Sequence, residues 1–258
     1  MNTLTRQEHL ERLLRDFHLP AFADNYQQFA RQAEKERIDH VGYLYQLAKQ
    51  ESEDRYNRRT ARLIKKAQLP KGKRLEDFDL SRFTGISDSQ IKELAEGNCL
   101  DNAENILIFG NPGTGKSHLA AALAREWCLR GRPSFFTTAS SLVQNLLAAK
   151  KDLKLNGELK DLAKYEAIVI DDISYIPQNR EETDVLFVLL AERYEQGSLV
   201  ITSNLPFSQW DQVFKDAVTT MAAIDKLVHH STVLELNGES YRVQEATERK
   251  KRKKNSTD

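Results

Sequence analysis

Apolar positions fall at two different spacings along the chain, and the change between them divides it. Over the first 69 residues they recur every three or four positions: Leu10, Leu13, Leu14 and Phe17, then Phe22, Tyr26 and Phe29, then Val41, Leu44, Leu47 and Ala48. That period lays one face of a helix against a core. Three amphipathic helices are predicted, the first ending before Pro20 and the third running from a cap at Asp39 as far as Gln68. Thr5 followed by Glu8 is a capping box, in which hydroxyl and carboxylate each satisfy a backbone amide. Leu69-Pro-Lys-Gly72 then breaks the helix and reads as a linker.

From about residue 76 the pattern becomes short apolar runs separated by amphipathic stretches. The runs are Ile106–Phe109, Ser134–Thr138, Ala167–Ile170, Leu199–Thr202 and Thr232–Leu236; the stretches lie near 116–130, 140–151, 158–164, 181–195 and 208–230. Such alternation predicts an α/β fold with a parallel five-stranded sheet. The division expected is a helical domain over 1–69, a linker over 70–75, a sheet domain over 76–241 and a basic tail over 242–258. Trp127 and Trp210, among apolar neighbours, are expected in the core.

Composition narrows the classes. With 258 residues, 40% hydrophobic and 29% charged, the chain is ordinary for a soluble globular protein. Its longest apolar run, Val185 to Ala191, is far short of the roughly 20 residues a bilayer span requires, so no membrane association is expected. No apolar signal core precedes residue 20, and Cys99 and Cys128 lack metal or disulfide spacing. A cytoplasmic protein with reduced thiols is expected. The 38 bases balance the 38 acids, but unevenly. Nine bases and no acid occur from Arg55 to Arg74, and six consecutive bases from Arg249 to Lys254. Patches of this kind suit a polyanion.

The most specific motif is Gly110-Asn111-Pro112-Gly113-Thr114-Gly115-Lys116-Ser117, which satisfies G-x-x-x-x-G-K-[ST] in full. The glycines let backbone amides turn inward on phosphates, and a helix beginning at Gly115 adds its positive end. Lys116 is placed for the β- and γ-phosphates and the Ser117 hydroxyl for Mg2+. The context fits a P-loop nucleoside triphosphatase, because a strand (Ile106–Phe109) precedes the loop and a helix (Leu119–Leu129) follows. Ile168-Val-Ile-Asp171-Asp172, 55 residues beyond Lys116, is an apolar strand ending in two carboxylates. Acids at the carboxyl end of a central strand fall in the crevice where open α/β sheets bind ligands. Asp171 reads as the Mg2+-side carboxylate, and Asp172 as the group that orients or deprotonates the attacking water. Asn204, ending Leu199-Val-Ile-Thr-Ser-Asn204, is placed to fix that water. A simple turn residue before Pro206 is the alternative.

Together the phosphate loop, Ile170-Asp-Asp172, Thr202-Ser-Asn204 and Gly238-Glu-Ser-Tyr-Arg242 resemble the IstB family. These are AAA+ ATPases that assist insertion-sequence transposases, and they are similar to the DnaC helicase loader and the DnaA initiator. The resemblance spans nearly the whole chain. It implies hydrolysis of ATP with Mg2+, homo-oligomerisation on duplex DNA, remodelling of that DNA, and partnership with an IstA-type transposase. Two further site residues follow from it. Lys226, in Ala223-Ile-Asp-Lys-Leu227, stands where the family usually has an Arg acting on the neighbouring subunit's ATP; a lysine supplies charge without the planar fork. Arg242 matches the family's Ser-Tyr-Arg and is the candidate second sensor. The 22 residues after Leu236 leave no room for a helical lid, so a neighbouring subunit is expected to close over the nucleotide.

The DNA expectation has support outside the resemblance. Arg55, Arg58, Arg59, Arg62, Lys65 and Lys66 step by three or four and share a helix face, which suits phosphate contacts read without sequence preference. The competing reading is a solvated face. The lysines of 140–164 (Lys150, Lys151, Lys154, Lys160, Lys164) are diluted by Asp152, Glu158 and Asp161, and the 249–254 run suits a non-specific tether. His229 and His230 are read as structural, since adjacent helical residues project apart and no carboxylate–histidine cluster is evident. Three classes remain: a DNA-remodelling transposition helper, a DnaC-like helicase loader, and a small-molecule kinase. The last leaves the basic stripe without a task.

Overall fold

The structure, a computed structural model, describes residues 5–83, 85–175, 179–214, 217–238 and 240. The predicted capping box opens α1 (Arg6–Asp16): Thr5 Oγ1 accepts the Glu8 amide at 3.3 Å and the Glu8 carboxylate accepts the Thr5 amide at 2.6 Å. Helix α2 (Pro20–Glu36) begins on a proline, whose missing N–H is harmless in the first turn. Its next amide, that of Ala21, donates to Glu51 Oε2 at 2.8 Å. Glu51 is a buried carboxylate on α3 (His40–Lys66), which Asp39 caps as expected by accepting the Gly42 amide at 2.8 Å. By compactness the chain divides between Arg62 and Leu63, inside α3. Within the second unit Ala67 is fully buried, and its carbonyl accepts the Phe136 amide at 2.8 Å.

The second unit is a three-layer α/β/α structure. In order it contains α4 (Asp88–Glu96), α5 (Asn98–Asp101), β1 (Asn105–Gly110), α6 (Lys116–Leu129), β2 (Ser134–Thr138), α7 (Ala139–Lys151) and α8 (Leu155–Leu162). Then come β3 (Ala167–Asp171), α9 (Arg180–Arg193), β4 (Ser198–Ser203), α10 (Asp211–Phe214), α11 (Ala217–Val228) and β5 (Ser231–Leu236). All five strands are parallel, in the order β2-β3-β4-β1-β5. The predicted strands match within a residue at each end, so the α/β expectation holds.

Two predictions need correction. The stretch 208–230 is not one helix but a 3-10 turn at Phe207–Gln209 followed by α10 and α11. Helices α4 and α5 were not foreseen, although Ser87, which accepts the Gln90 amide at 3.1 Å, is an ordinary N-cap before Ile91, Leu94 and Ala95.

Side-chain alternation on the strands explains the layers. Leu107, Ile168, Ile170, Leu199 and Ile201 face a core shared with α7, α9, α10 and α11. Ile106, Ile108, Val169 and Val200 face the other way, against α4 and α6. Both faces are covered, which is why these strands read as unbroken apolar runs. Helix α6 lies close on the sheet because Ala120, Ala121, Ala122 and Ala124 are small and fully buried. Trp127 and Trp210 are both core, and their ring N–H groups donate to the carbonyls of Leu94 and Leu205. Cys99 and Cys128 are buried free thiols, and burial pushes Cys99 up to about 11. Among the described residues no helix is long and apolar enough to cross a membrane.

Arg193 clamps the strand-start edge. It is buried, and its guanidinium donates to the carbonyls of Tyr165 (2.8 Å), Glu166 (2.9 Å) and Ser198 (3.2 Å). Desolvation pulls its pKa down to about 10, so these three bonds offset a real burial cost. Gly197 is required here because a Cβ would collide with the guanidinium. Arg193→Lys, with one compact ammonium for three carbonyls, is expected to lose roughly 1–3 kcal/mol, read as a fall of several degrees in Tm by calorimetry.

Candidate functional site

The loop between β1 and α6 sits at the carboxyl edge of the sheet. Its glycines take backbone conformations other residues resist, with φ of 85° at Gly113 and 102° at Gly115. Space is also short. A Cβ on Gly110 would come within 2.6 Å of the Leu236 carbonyl oxygen, and one on Gly113 would strike Ser240 Oγ. Thr114 is fully buried and its hydroxyl donates to the Asn111 carbonyl at 3.0 Å. Lys116 is only 5% exposed, and its ammonium donates to the carbonyls of Gly110 (2.8 Å) and Asn111 (3.0 Å). The cation is therefore folded back into its own loop. Asn111 and Pro112 are exposed, and Ser117 is half-buried in the first turn of α6.

Beside this loop the ends of β3 and β4 meet, as adjacent strands should. A single hydroxyl organises the junction. Thr202, fully buried, donates to Asp171 Oδ1 at 2.6 Å and accepts the Asp172 amide at 2.9 Å. Asp171 is thereby fixed as the last strand residue. Asp172 takes a left-handed conformation (φ 56°) that turns the chain out of the sheet, a geometry Asp tolerates better than most side chains. Ser174 donates to Asn204 Oδ1. The Ser203 hydroxyl closes the turn before Pro206 by accepting the Leu205 amide at 3.0 Å and donating to its carbonyl at 2.7 Å.

Gly110–Ser117, Asp171, Asp172 and Asn204 thus lie along one edge of the sheet. Lys226 does not join them. It ends α11 near the start of β5, at the other end of the sheet, with its ammonium 4.7 Å from the centre of the Tyr194 ring. Arg242 and the 249–254 run lie outside the described residues. Thr202, Ser174 and Ser240 were not singled out from sequence. Thr202 was recoverable: Ile170 pairs with Ile201, so the next residue of each strand is Asp171 and Thr202.

The residues fit a Mg2+–triphosphate: a glycine loop in which a Cβ on Gly110 would meet backbone, a buried ammonium bonded to the carbonyls of Gly110 and Asn111, a serine in the first turn of α6, and a carboxylate at the end of β3 on the same edge of the sheet. The helical unit offers a different surface. Arg15, His18, Arg55, Arg58, Arg59 and Arg62 line an open groove of about 640 Å³. The stripe is less free than its composition suggested. Glu51, one turn upstream of Arg55, accepts from Arg55 Nε at 2.7 Å and from Arg58 at 3.4 Å, and Arg55 also donates to the His18 carbonyl. Lys65 and Lys66 are exposed at the end of α3. In α8 and after it, Lys164 pairs with Asp161.

The reading of His229 and His230 also needs correction. They follow α11 in a turn instead of lying on a helix, so their rings converge to 4.2 Å between centres. Glu195 joins them to form a carboxylate–histidine cluster.

Comparison with known proteins then decides the family. The model of the IstB-like ATP binding protein family matches residues 12–249. The chain belongs to that family. A relative from Sinorhizobium fredii, named as an insertion sequence ATP-binding protein, is 40% identical over 93% of this chain and 80% of its own length. One from Pseudomonas aeruginosa, named for insertion sequence IS21 and ATP binding, is 36% identical over 92% and 89%. Among solved structures, AMPPCP-bound DnaA from Aquifex aeolicus superposes with a TM-score of 0.55 over 66% of this chain and 51% of that one, at 19% identity. DnaI gives 0.53 over 64% and 90%, at 22% identity. These structures share the fold, that of P-loop AAA+ proteins.

The bridging hydroxyl makes a test that needs no ligand. Thr202→Val keeps the shape but strands a buried carboxylate and an amide. Urea unfolding of the nucleotide-free protein is expected to show a loss of roughly 1–3 kcal/mol.

Proposed function

We propose that this family member is a Mg2+-dependent ATPase that assembles on duplex DNA and assists an IstA-type transposase. The observation that carries the proposal is the Lys116 ammonium, buried in a glycine cradle and held by two backbone carbonyls. Phosphate oxygens are stronger acceptors for that cation than neutral carbonyls, so a triphosphate can draw the side chain out of its loop. The amides of Gly113 to Ser117 and the start of α6 receive the phosphates. Ser117 and Asp171 would hold Mg2+, which supplies charge neutralisation at the β- and γ-oxygens when bound. Asp172, held in place through its amide by Thr202, orients the attacking water and takes up its proton. Asn204, anchored by Ser174, positions the same water from the neighbouring strand.

Lys226 is too far along the sheet to act on its own loop. Its place at the end of α11 supports a role on the nucleotide of a neighbouring copy, which makes hydrolysis depend on assembly. Arg242 is proposed as the second sensor from its place in Ser-Tyr-Arg alone. For DNA, the arginine-lined groove of the helical unit supports phosphate contacts. Arg55, Arg58, Arg59, Arg62, Lys65 and Lys66 remain the candidates, with Arg55 and Arg58 partly committed to Glu51. The N-terminal helical unit, the sheet unit and the basic tail then divide the labour between DNA and nucleotide. A DnaC-like helicase loader shares the fold, and tight binding of duplex DNA by the isolated protein separates the two readings.

Two measurements test this. Lys116→Ala is expected to abolish binding of a fluorescent ATP analogue and, with it, ATP-dependent growth in gel-filtration mass on duplex DNA. Arg59→Gln/Arg62→Gln is expected to weaken duplex binding at low salt and to flatten the log–log salt slope by about 1–2. An unchanged slope would make the stripe a solvated face.

A further inference from the structure

The turn after α9 and the turn after α11 bring three metal-ligating side chains together at the strand-start edge, away from the phosphate loop. We propose that Glu195, His229 and His230 form a binding site for a borderline transition-metal cation of the Zn2+ type. Their donor atoms all lie within 4.8 Å of one another, and His230 Nε2 is 3.9 Å from Glu195 Oε1. Tetrahedral ligands at the usual Zn–N and Zn–O lengths stand about 3.4 Å apart. Closing on a cation therefore takes a shift of at most about 1.4 Å at the widest pair, and all three side chains are exposed and able to move.

The donor set sets the chemistry. Two imidazoles and one carboxylate suit Zn2+ or its neighbours and not Mg2+, which prefers oxygen ligands and keeps its waters. A second partner is already in place. The Tyr194 hydroxyl is 3.0 Å from His229 Nδ1; with the proton on Nδ1 and donated to that oxygen, Nε2 keeps its lone pair for metal. Three protein ligands on an exposed turn leave the fourth position to water. The site joins the turn after α9 to the turn after α11, and Lys226 packs on the Tyr194 ring beside it.

The proposal does not depend on the nucleotide reading, and its test uses the nucleotide-free full-length protein titrated calorimetrically with ZnCl2. The expected result is uptake of one Zn2+ at this site, lost in His229→Ala/His230→Ala and in Glu195→Gln, and weakened about 10- to 100-fold in Tyr194→Phe. His9→Ala/His40→Ala, which removes two of the four other histidines, should bind as the wild type does. Metal-free melting temperatures of the Glu195, His229/His230 and His9/His40 variants should be unchanged, because those side chains are exposed. No saturable uptake by the wild type, uptake undiminished in the double His229/His230 variant, or equal competition by Mg2+ would each overturn the proposal.

Discussion

A lysine ammonium enclosed by the backbone of its own loop is the interaction on which the site depends. Taking such a cation out of water costs several kcal/mol. The bonds from Lys116 to the carbonyls of Gly110 and Asn111 return about 1.5–3 kcal/mol each. Phosphate oxygens, as more negative acceptors, can replace those carbonyls. The loop needs glycine: a Cβ on Gly110 would meet the Leu236 carbonyl oxygen, and Gly113 and Gly115 sit at positive φ.

The rest of the second unit holds the carboxyl edge of the sheet against that loop. Opposed apolar layers bury β1, β3 and β4 on both faces, fixing the heights at which the strands end. In-register pairing of Ile170 with Ile201 then sets Thr202 beside Asp171, and one hydroxyl serves both the carboxylate and the next amide. At the opposite edge Arg193 gathers three carbonyls. The chemistry is held at one end and the packing is tied down at the other.

Much of this was legible in the sequence because the signals were local. The phosphate loop, the capping box at Thr5 and Glu8, the Asp39 cap and the five apolar runs each depend on residues a few positions apart. What escaped depended on tertiary proximity. The His229–His230–Glu195 cluster was missed because Glu195 is 34 positions upstream, and because the pair was assigned to a helix that ends at Val228. Glu51 was missed for a different reason: a charge count begun at Arg55 excludes the acid one turn earlier that two of its arginines share. Thr202 carries no local signal of its role, because its partner Asp171 is set by the register of β3 against β4. Helix α4, short and with an everyday cap, carries too few apolar positions to stand out.

The central claim is that residues 110–117 receive a triphosphate that displaces the Lys116 ammonium from its carbonyls. Hydrogen–deuterium exchange of the wild-type chain, with and without Mg2+ and a non-hydrolysable ATP analogue, tests it residue by residue. The account requires new protection concentrated at the amides of 113–117, with a smaller gain at Asp172. Unchanged exchange across the loop at saturating analogue, or protection confined to other segments, would contradict it.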